Sequence, residues 1–275
     1  MTDTTATIID HYDLGGERDR LFNGRSRLEH ARTQELLTRH LPPPPATILD
    51  VGGGPGAYAR WLAALGYDVH LVDPVPLHVD QAHQDPGDRP LASATVGAAR
   101  HLDHPDASAD AVLLLGPLYH LTDREDRLLA LREAARVARP GGVVLAVGIT
   151  RFTSLLDGLL HGFLDDPGFV AIVEGDLRDG QHRNPGNHPA YFTTSYFHHP
   201  DELRDEVREA GLTVVETVNI EGPGRWVPGD FDAWWDDPAR RERLLAAVRA
   251  VEHEPSLMGL GPHIMVVARR GEPRA

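Results

Sequence analysis

The chain has 275 residues, of which 41% are hydrophobic and 25% charged, a composition ordinary for a globular protein. It contains no cysteine, which excludes disulfides, thiolate catalysis and cysteine-bound zinc. Its formal net charge of −14 argues against a nucleic-acid partner, because phosphate backbones are bound by basic surfaces. We expect a cytoplasmic protein without a membrane partner, since no apolar run approaches roughly 20 residues and the first residues lack signal-peptide features.

The first 45 residues are polar and helix-prone, and they predict an N-terminal cap. Apolar residues recur at helical spacing between Arg27 and His40, which indicates an amphipathic helix. Four consecutive prolines, Pro42 to Pro45, end this helix because proline has no N–H to donate.

Short apolar runs alternate with helical patterns between residues 46 and 150. The predicted strands are Ala46–Val51, Asp68–Asp73, Ala94–Val96, Ala109–Leu115 and Val143–Ile149, and the predicted helices are Ala57–Leu65 and Arg124–Ala138. Strands that alternate with helices form parallel sheets with right-handed crossovers. This region therefore predicts an α/β core.

The alternation stops between residues 151 and 199, and this segment is predicted to be an insertion over the carboxyl edge of the sheet. It resumes with a helix, a strand, a helix and a strand at Pro200–Ala210, Leu212–Ile220, Ala239–Glu252 and His263–Ala268. The chain is thus predicted to be a single domain over residues 1–275. Its parts are the cap (1–45), the core (46–150), the cap insertion (151–199) and the C-terminal part of the sheet (200–275).

The first strand runs into a glycine turn, Gly52-Gly53-Gly54-Pro55-Gly56, that suits a nucleotide-like ligand. A phosphate-binding P-loop is excluded because it requires a lysine, and all 27 basic residues of the chain are arginine. A dinucleotide and S-adenosylmethionine both remain, since each has a ribose that Asp73, at the end of the second strand, would bind.

Several motifs together distinguish between these two candidate ligands. Asp50 precedes Gly52 by two positions, Asp106-Ala107-Ser108-Ala109-Asp110 opens the fourth strand, and Arg136-Val137-Ala138-Arg139-Pro140-Gly141-Gly142 precedes the fifth. This set resembles the class I S-adenosylmethionine-dependent methyltransferases, in particular the small-molecule members of type 11 and type 25. The resemblance covers residues 45–150 and extends to the last two strands. It implies a Rossmann-like, seven-stranded, mostly parallel α/β sheet with an antiparallel last strand, flanking helices and a helical or irregular cap.

The resemblance also implies the cofactor, S-adenosyl-L-methionine, with S-adenosyl-L-homocysteine as product. Asp73 would bind the ribose, the glycines would let the backbone approach the methionine part, and Asp50 would hold the loop or contact the ammonium. The predicted cofactor-binding residues are Asp50, Gly52, Gly53, Gly54, Asp73, Pro74, Ala99, Arg100, Gly116 and Arg32.

Two features of cofactor binding stay open in the sequence. Ala98 occupies the position of the acidic residue that usually meets the adenine amino group, so either backbone and Ala99 hold the adenine or Asp103 substitutes. Arg27 or Arg32 is predicted to pair with the cofactor carboxylate, because arginine forms bidentate bonds with that group.

The predicted catalytic residues are His120, Tyr119 and Tyr12. Tyr119 and His120 follow the fourth strand, where ligands of open α/β sheets bind, and a histidine acts as general base near neutral pH. Tyr12 and Asp13 resemble the tyrosine-containing cap that closes over the cofactor in small-molecule methyltransferases. Lining of the pocket, without a catalytic role, is the alternative.

The insertion supplies the predicted substrate-binding residues, Tyr191, Phe192, Tyr196 and His199, as an aromatic lid over a small acceptor. Packing in a plain hydrophobic core is the alternative for these aromatic residues. His182, His188 and His198 lie in the same segment. Since no histidine pair there has metal-ligand spacing, no metal is predicted. For Trp226, Trp234 and Trp235, packing in the core or at an interface is the default interpretation.

These observations predict methyl transfer to a small-molecule acceptor, and we expect that acceptor to be a secondary metabolite. The alternatives are a peptide or protein acceptor, a non-catalytic S-adenosylmethionine-binding protein and a dehydrogenase. The sequence leaves the acceptor atom open, and it leaves open whether the chain is a monomer or a homodimer.

Overall fold

The computed structural model of the protein describes residue 12 and residues 15–84 and 87–272. Its strands are β1 (Thr47–Val51), β2 (Asp68–Asp73), β3 (Ser93–Val96), β4 (Ala109–Leu114), β5 (Ala138–Thr150), β6 (Gln181–His182), β7 (Ser195–His198), β8 (Leu212–Asn219) and β9 (His263–Arg270). Asp13, predicted in the cap, lies outside the described residues.

The helices alternate with these strands over most of the chain. They are α1 (Glu17–Arg20), α2 (Ser26–His40), α3 (Ala57–Ala64), α4 (Pro76–Gln84), α5 (Pro117–His120), α6 (Arg124–Val137), α7 (Thr153–His161), α8 (Pro167–Asp179), α9 (Pro200–Glu209), α10 (Phe231–Asp236) and α11 (Pro238–Val251). None of the helices within the described ranges combines the length and the apolar character that crossing a bilayer requires.

The sheet runs in the order β3-β2-β1-β4-β5 and continues through β9 to β8. Strands β1 to β5 are parallel, and β9 is antiparallel to both β5 and β8. The predicted α/β class, with its mostly parallel sheet and antiparallel last strand, is confirmed. The predicted count of seven strands is wrong, because the insertion adds β6 and β7.

Helices cover both faces of the sheet, and the strand sequences follow from this. In β1, Ile48 packs into the core on one face and Leu49 into the core on the other, and both are fully buried. Strands that are buried on both faces are continuously apolar instead of alternating. The apolar run of β1 therefore ends only where the polar site begins.

The insertion combines helices with an irregular segment, residues 183–194. Its helices α7 and α8 pack together around Phe169, Ile172 and Val173. Strand β7 pairs with Ile149 and Thr150 at the end of β5, on the edge opposite β9 and beyond the end of β4. The insertion is thereby placed beside the carboxyl end of β4.

Candidate active site

A cavity lies over the carboxyl ends of the central strands, where the strand order reverses between β1 and β4. Such a switch point leaves a crevice between two crossover connections that run to opposite sides. One half of the cavity lies over β1, β2 and β3, and the other half over β4, β5 and the start of β9. Its lining includes Tyr12, Asp50, Gly52, Gly53, Gly54, Asp73, Pro74, Ala99, Arg100, Gly116, Tyr119 and His120.

The glycine turn between β1 and α3 has a backbone that other residues adopt poorly. Gly52 and Gly54 have φ values of +68° and +56°, in the left-handed region that glycine tolerates best. A Cβ on Gly52 would lie 2.9 Å from Cδ of Pro117, and one on Gly53 would lie 2.6 Å from Oδ2 of Asp50. The turn therefore presents bare backbone to the cavity.

Asp73, the last residue of β2, holds this turn in place. Its Oδ2 accepts a hydrogen bond from the backbone N–H of Gly54 at 2.8 Å. Its Oδ1 accepts from the backbone N–H of Val75 at 2.9 Å and faces Nδ1 of His78 at 3.0 Å. Asp73 is 3% exposed, so a carboxylate is fixed at the floor of the first half of the cavity.

Asp50 is fully buried beside the turn, and neither carboxylate oxygen has a hydrogen-bond partner among the described residues. Burial, and then the charge of Asp73, raise the pKa of Asp50 to about 7. An unpaired buried carboxylate is costly, and a cation bound next to it would lower that cost. Asp73, and not Asp50, is the residue that binds the loop.

The far end of the first half is apolar and is formed by Pro74, Val75, Ala98 and Ala99. Arg100 also lines the cavity, and its guanidinium donates to Asp126 at 2.7 Å. Asp103, one of the two alternatives for holding an adenine, is exposed and does not line the cavity. The geometry thus favours the other alternative, backbone and Ala99.

Tyr119 and His120 lie in the short helix α5 and line the second half of the cavity. The hydroxyl of Tyr12 is 2.7 Å from Nε2 of His120, and the rings of Tyr12 and His120 meet edge to face at 5.3 Å. Burial raises the pKa of the Tyr12 hydroxyl well above its usual value, which makes the neutral phenol the form present. The structure therefore brings all three predicted catalytic residues together.

A line of alternating charges, which sequence reasoning missed, crosses the second half. Arg20 donates to Glu17 at 2.9 Å and to Glu29 at 2.7 Å, and His263 pairs through Nδ1 with Glu221 at 2.6 Å. Burial opposes ionisation of Glu29, but Arg20 and then His263 lower its pKa to about 2.

His263 has a raised pKa, since its attraction to Glu221 and Glu29 outweighs the effect of burial. Its Nδ1 is bound to Glu221, so Nε2 is the ring nitrogen available to a ligand. One signal in the sequence could have identified His263. The first residue of an antiparallel last strand lies at the carboxyl edge of its parallel neighbour, and His263 is indeed paired with Ile149 near the end of β5.

The predicted role of Arg32 is wrong, and Arg27 also lies outside the cavity. Arg32 is fully buried in α2, where its guanidinium binds Glu35, Glu252 and the backbone carbonyl of Ile220. Arg27 pairs with two aspartates of α10. Arg20 and Arg18 are the arginines of the cap that line the cavity.

Three of the four predicted substrate-binding residues lie elsewhere. Tyr191 packs in the insertion and donates to Asp166 at 2.7 Å, and Tyr196 stacks over Arg127 with the guanidinium carbon 3.7 Å from the ring centroid. His199 is half exposed and caps α9. Phe192 alone approaches the site, with its ring 5.9 Å from that of His120.

The buried histidines of the insertion, His182 and His198, make contacts within the fold and do not line the cavity. His182 is buried between Asp176, at 2.9 Å, and the backbone carbonyl of Phe192, at 3.1 Å, and His198 faces Glu206. Among the described residues, the grouping with metal-ligand distances is Glu29, Glu221 and His263. Arg20 and His263 already compensate these two carboxylates.

Comparison with known proteins agrees with this geometry. Residues 49–146 match the family model described as a methyltransferase domain. The chain is 28% identical over 177 residues to methyltransferase GfsG of Streptomyces halstedii, covering 63% of this chain and 55% of the relative. It is 36% identical over 146 residues to an uncharacterized methyltransferase of Mycobacterium bovis, covering 53% and 55%. The chain thus spans about half the length of these curated relatives.

Among solved structures, the fold resembles a chain of the complex between the Haloferax volcanii Trm112 methyltransferase activator and a methyltransferase. The TM-score is 0.61 at 20% identity, over 98% of this chain and 99% of that one. Residues 49–146 thus match the methyltransferase-domain family, and the fold and the glycine turn around them resemble those of class I S-adenosylmethionine-dependent methyltransferases. S-adenosylmethionine is the cofactor of that class.

Proposed function

We propose that the protein transfers a methyl group from S-adenosylmethionine to a small-molecule acceptor. The observation that carries this proposal is the continuous cavity with two chemically different halves. The half over β1 to β3 holds the glycine turn, Asp50 and Asp73, and the half over β4, β5 and β9 holds Tyr119, His120 and His263.

The first half offers a partner for each part of the cofactor. A ribose hydroxyl would donate to Asp73, and the adenine would lie between Pro74 and Ala99 against backbone. The methionine part would cross Gly52 and Gly54, with its ammonium toward the unpaired carboxylate of Asp50. The cofactor supplies a methyl group on a positively charged sulfur, which leaves as the neutral thioether of S-adenosylhomocysteine.

In the second half, the residues of the chain position the acceptor and receive its proton. Methyl transfer is an in-line displacement, so the walls must hold the acceptor atom about 3 Å from the methyl carbon. If the acceptor must lose a proton, His120, which is bound to Tyr12, is the base of this half. His263 favours its protonated form beside Glu221 and Glu29, so it is the poorer base.

The size and charge of this half support a small acceptor without negative charge. The cap residues Tyr12, Arg20 and Leu21 form part of the wall, which favours a small molecule over a protein segment. Arg20 and His263 are each already paired with carboxylates. An anionic acceptor would therefore have to compete with these carboxylates for Arg20 and His263.

The test is transfer of a radiolabelled methyl group from S-adenosylmethionine to a panel of small hydroxyl and amine compounds. We expect turnover with the wild type, at least a hundredfold slower turnover for His120→Ala, and unchanged turnover for the matched variant of an exposed histidine, His161→Ala. Cofactor binding should persist in His120→Ala. Full activity of His120→Ala would overturn its catalytic role, and cofactor binding without any turnover would favour the non-catalytic alternative.

A further inference from the structure

His78 is a buried residue of the cofactor half that neither the motif nor the family match assigns. It lies in the first turn of α4, is 3% exposed and lines the cavity. Its Nδ1 is 3.0 Å from Oδ1 of Asp73. An ionised carboxylate only accepts hydrogen bonds, so His78 carries a proton on Nδ1 and donates it to Asp73.

The hydrogen bonds of Asp73 show what this donor does. Each carboxylate oxygen accepts about two hydrogen bonds. Oδ1 is filled by the backbone N–H of Val75 and by His78, whereas Oδ2 receives, from the part of the chain that the structure describes, only the N–H of Gly54. One accepting position therefore remains, on Oδ2, and His78 is the side chain that sets which oxygen it is.

His78 also connects Asp73 to the cap. The ring of Tyr12 meets the ring of His78 edge to face at 5.3 Å, and it meets the ring of His120 at the same distance. The Nε2 of His78 is buried and has no hydrogen-bond partner among the described residues. Burying a ring nitrogen without a hydrogen bond costs free energy. The hydrogen bond between His78 and Asp73 offsets this cost.

We propose that His78 is a positioning residue for the cofactor ribose, which orients the Asp73 carboxylate so that Oδ2 receives a ribose hydroxyl. This inference rests on the proposed function, because it takes the occupant of the first half to be S-adenosylmethionine. It adds a residue whose effect passes through Asp73.

Two substitutions of His78 separate hydrogen bonding from packing. His78→Leu removes the donor, whereas His78→Asn keeps an N–H at the position of Nδ1. By calorimetry with S-adenosylhomocysteine as the probe, we expect His78→Leu to weaken binding about tenfold or more, as for a lost hydrogen bond to a charged group, and His78→Asn to stay within about threefold of the wild type.

A double-mutant cycle with Asp73→Asn tests whether the effect passes through Asp73. In the Asp73→Asn background, His78→Leu should change the affinity by less than about twofold. The proposal is overturned if His78→Leu binds like the wild type, if His78→Asn loses as much as His78→Leu, or if the loss persists in the Asp73→Asn background. Failure of the proposed function is a different result, in which the wild type itself does not bind S-adenosylhomocysteine.

Discussion

Asp50 shows how a single residue connects the fold to ligand binding. Its carboxyl group is fully buried, and both oxygens are without partners among the described residues. Its pKa is about 7, raised by burial and then by Asp73. The folded protein therefore binds this proton more tightly than the unfolded chain does. This contribution to stability is present at low pH and is lost as the pH rises from about 4 through 7.

Cofactor binding should have the opposite pH dependence. A ligand ammonium beside Asp50 favours the carboxylate, so binding releases a proton and tightens as the pH rises. Between pH 5.5 and pH 7, where an α-amino group stays charged, we expect the affinity for S-adenosylhomocysteine to rise about tenfold. Calorimetry at both pH values measures this, and in Asp50→Asn the rise should disappear. A wild-type affinity that does not change with pH would contradict the role of Asp50.

At the scale of elements, the glycine turn offers a matched pair of substitutions. Gly52 and Gly54 both have positive φ, so alanine at either position costs about 1–2 kcal/mol of strain. A Cβ on Gly52 also collides with Pro117 of α5, whereas the nearest atom to a Cβ on Gly54, among the described residues, lies at 3.8 Å.

Gly52→Ala should therefore lower the free energy of unfolding by about 1–3 kcal/mol more than Gly54→Ala. Denaturant unfolding of both variants measures the difference. Equal losses would show that the contact between the turn and α5 is not tight.

The turn after α5 depends on a buried ion pair. Arg127 in α6 donates to Glu206 of α9 at 2.8 Å, and to the backbone carbonyls of Leu121 and Thr122 directly after His120. Burial raises the pKa of Glu206, but hydrogen bonds from His198 and Arg127 outweigh it and lower the pKa to about 2. The stability from this group is lost as the pH falls from about 4.5 through 2.

Arg127→Met should cost about 3–5 kcal/mol, because it removes the guanidinium that binds the buried carboxylate of Glu206 and leaves only the more distant Arg124, at 3.9 Å, and His198 beside that charge. The matched control is Arg208→Met, whose exposed pair with Asp205 should be worth at most about 1 kcal/mol. Urea unfolding compares the two variants. Addition of Glu206→Leu to Arg127→Met should restore most of the loss, and a further loss would contradict this explanation.

At the scale of the whole molecule, the features that could be predicted from the sequence are those that residues close together in the chain define. The glycine turn, Asp73 and the alternating strands are each defined by neighbouring residues, and the structure places them as the sequence predicted. The line of charges through Arg20, Glu29 and His263 joins cap helices to the last strand, and no local pattern records that meeting. The aromatic residues of the insertion were predicted to bind substrate only because they are aromatic, and the sequence does not record which of them face the cavity. Tyr191 packs within the insertion and Tyr196 packs on Arg127, whereas Phe192 lies beside the site.

We propose above all that the cavity over β1 and β2 binds S-adenosylmethionine. Calorimetric titration of the full chain with S-adenosylmethionine, S-adenosylhomocysteine and NAD tests it most directly. We expect both sulfur compounds to bind with one site per chain, NAD not to bind, and Asp73→Asn to weaken binding about tenfold or more. Binding of NAD in their place, or no binding of either sulfur compound, would contradict the claim.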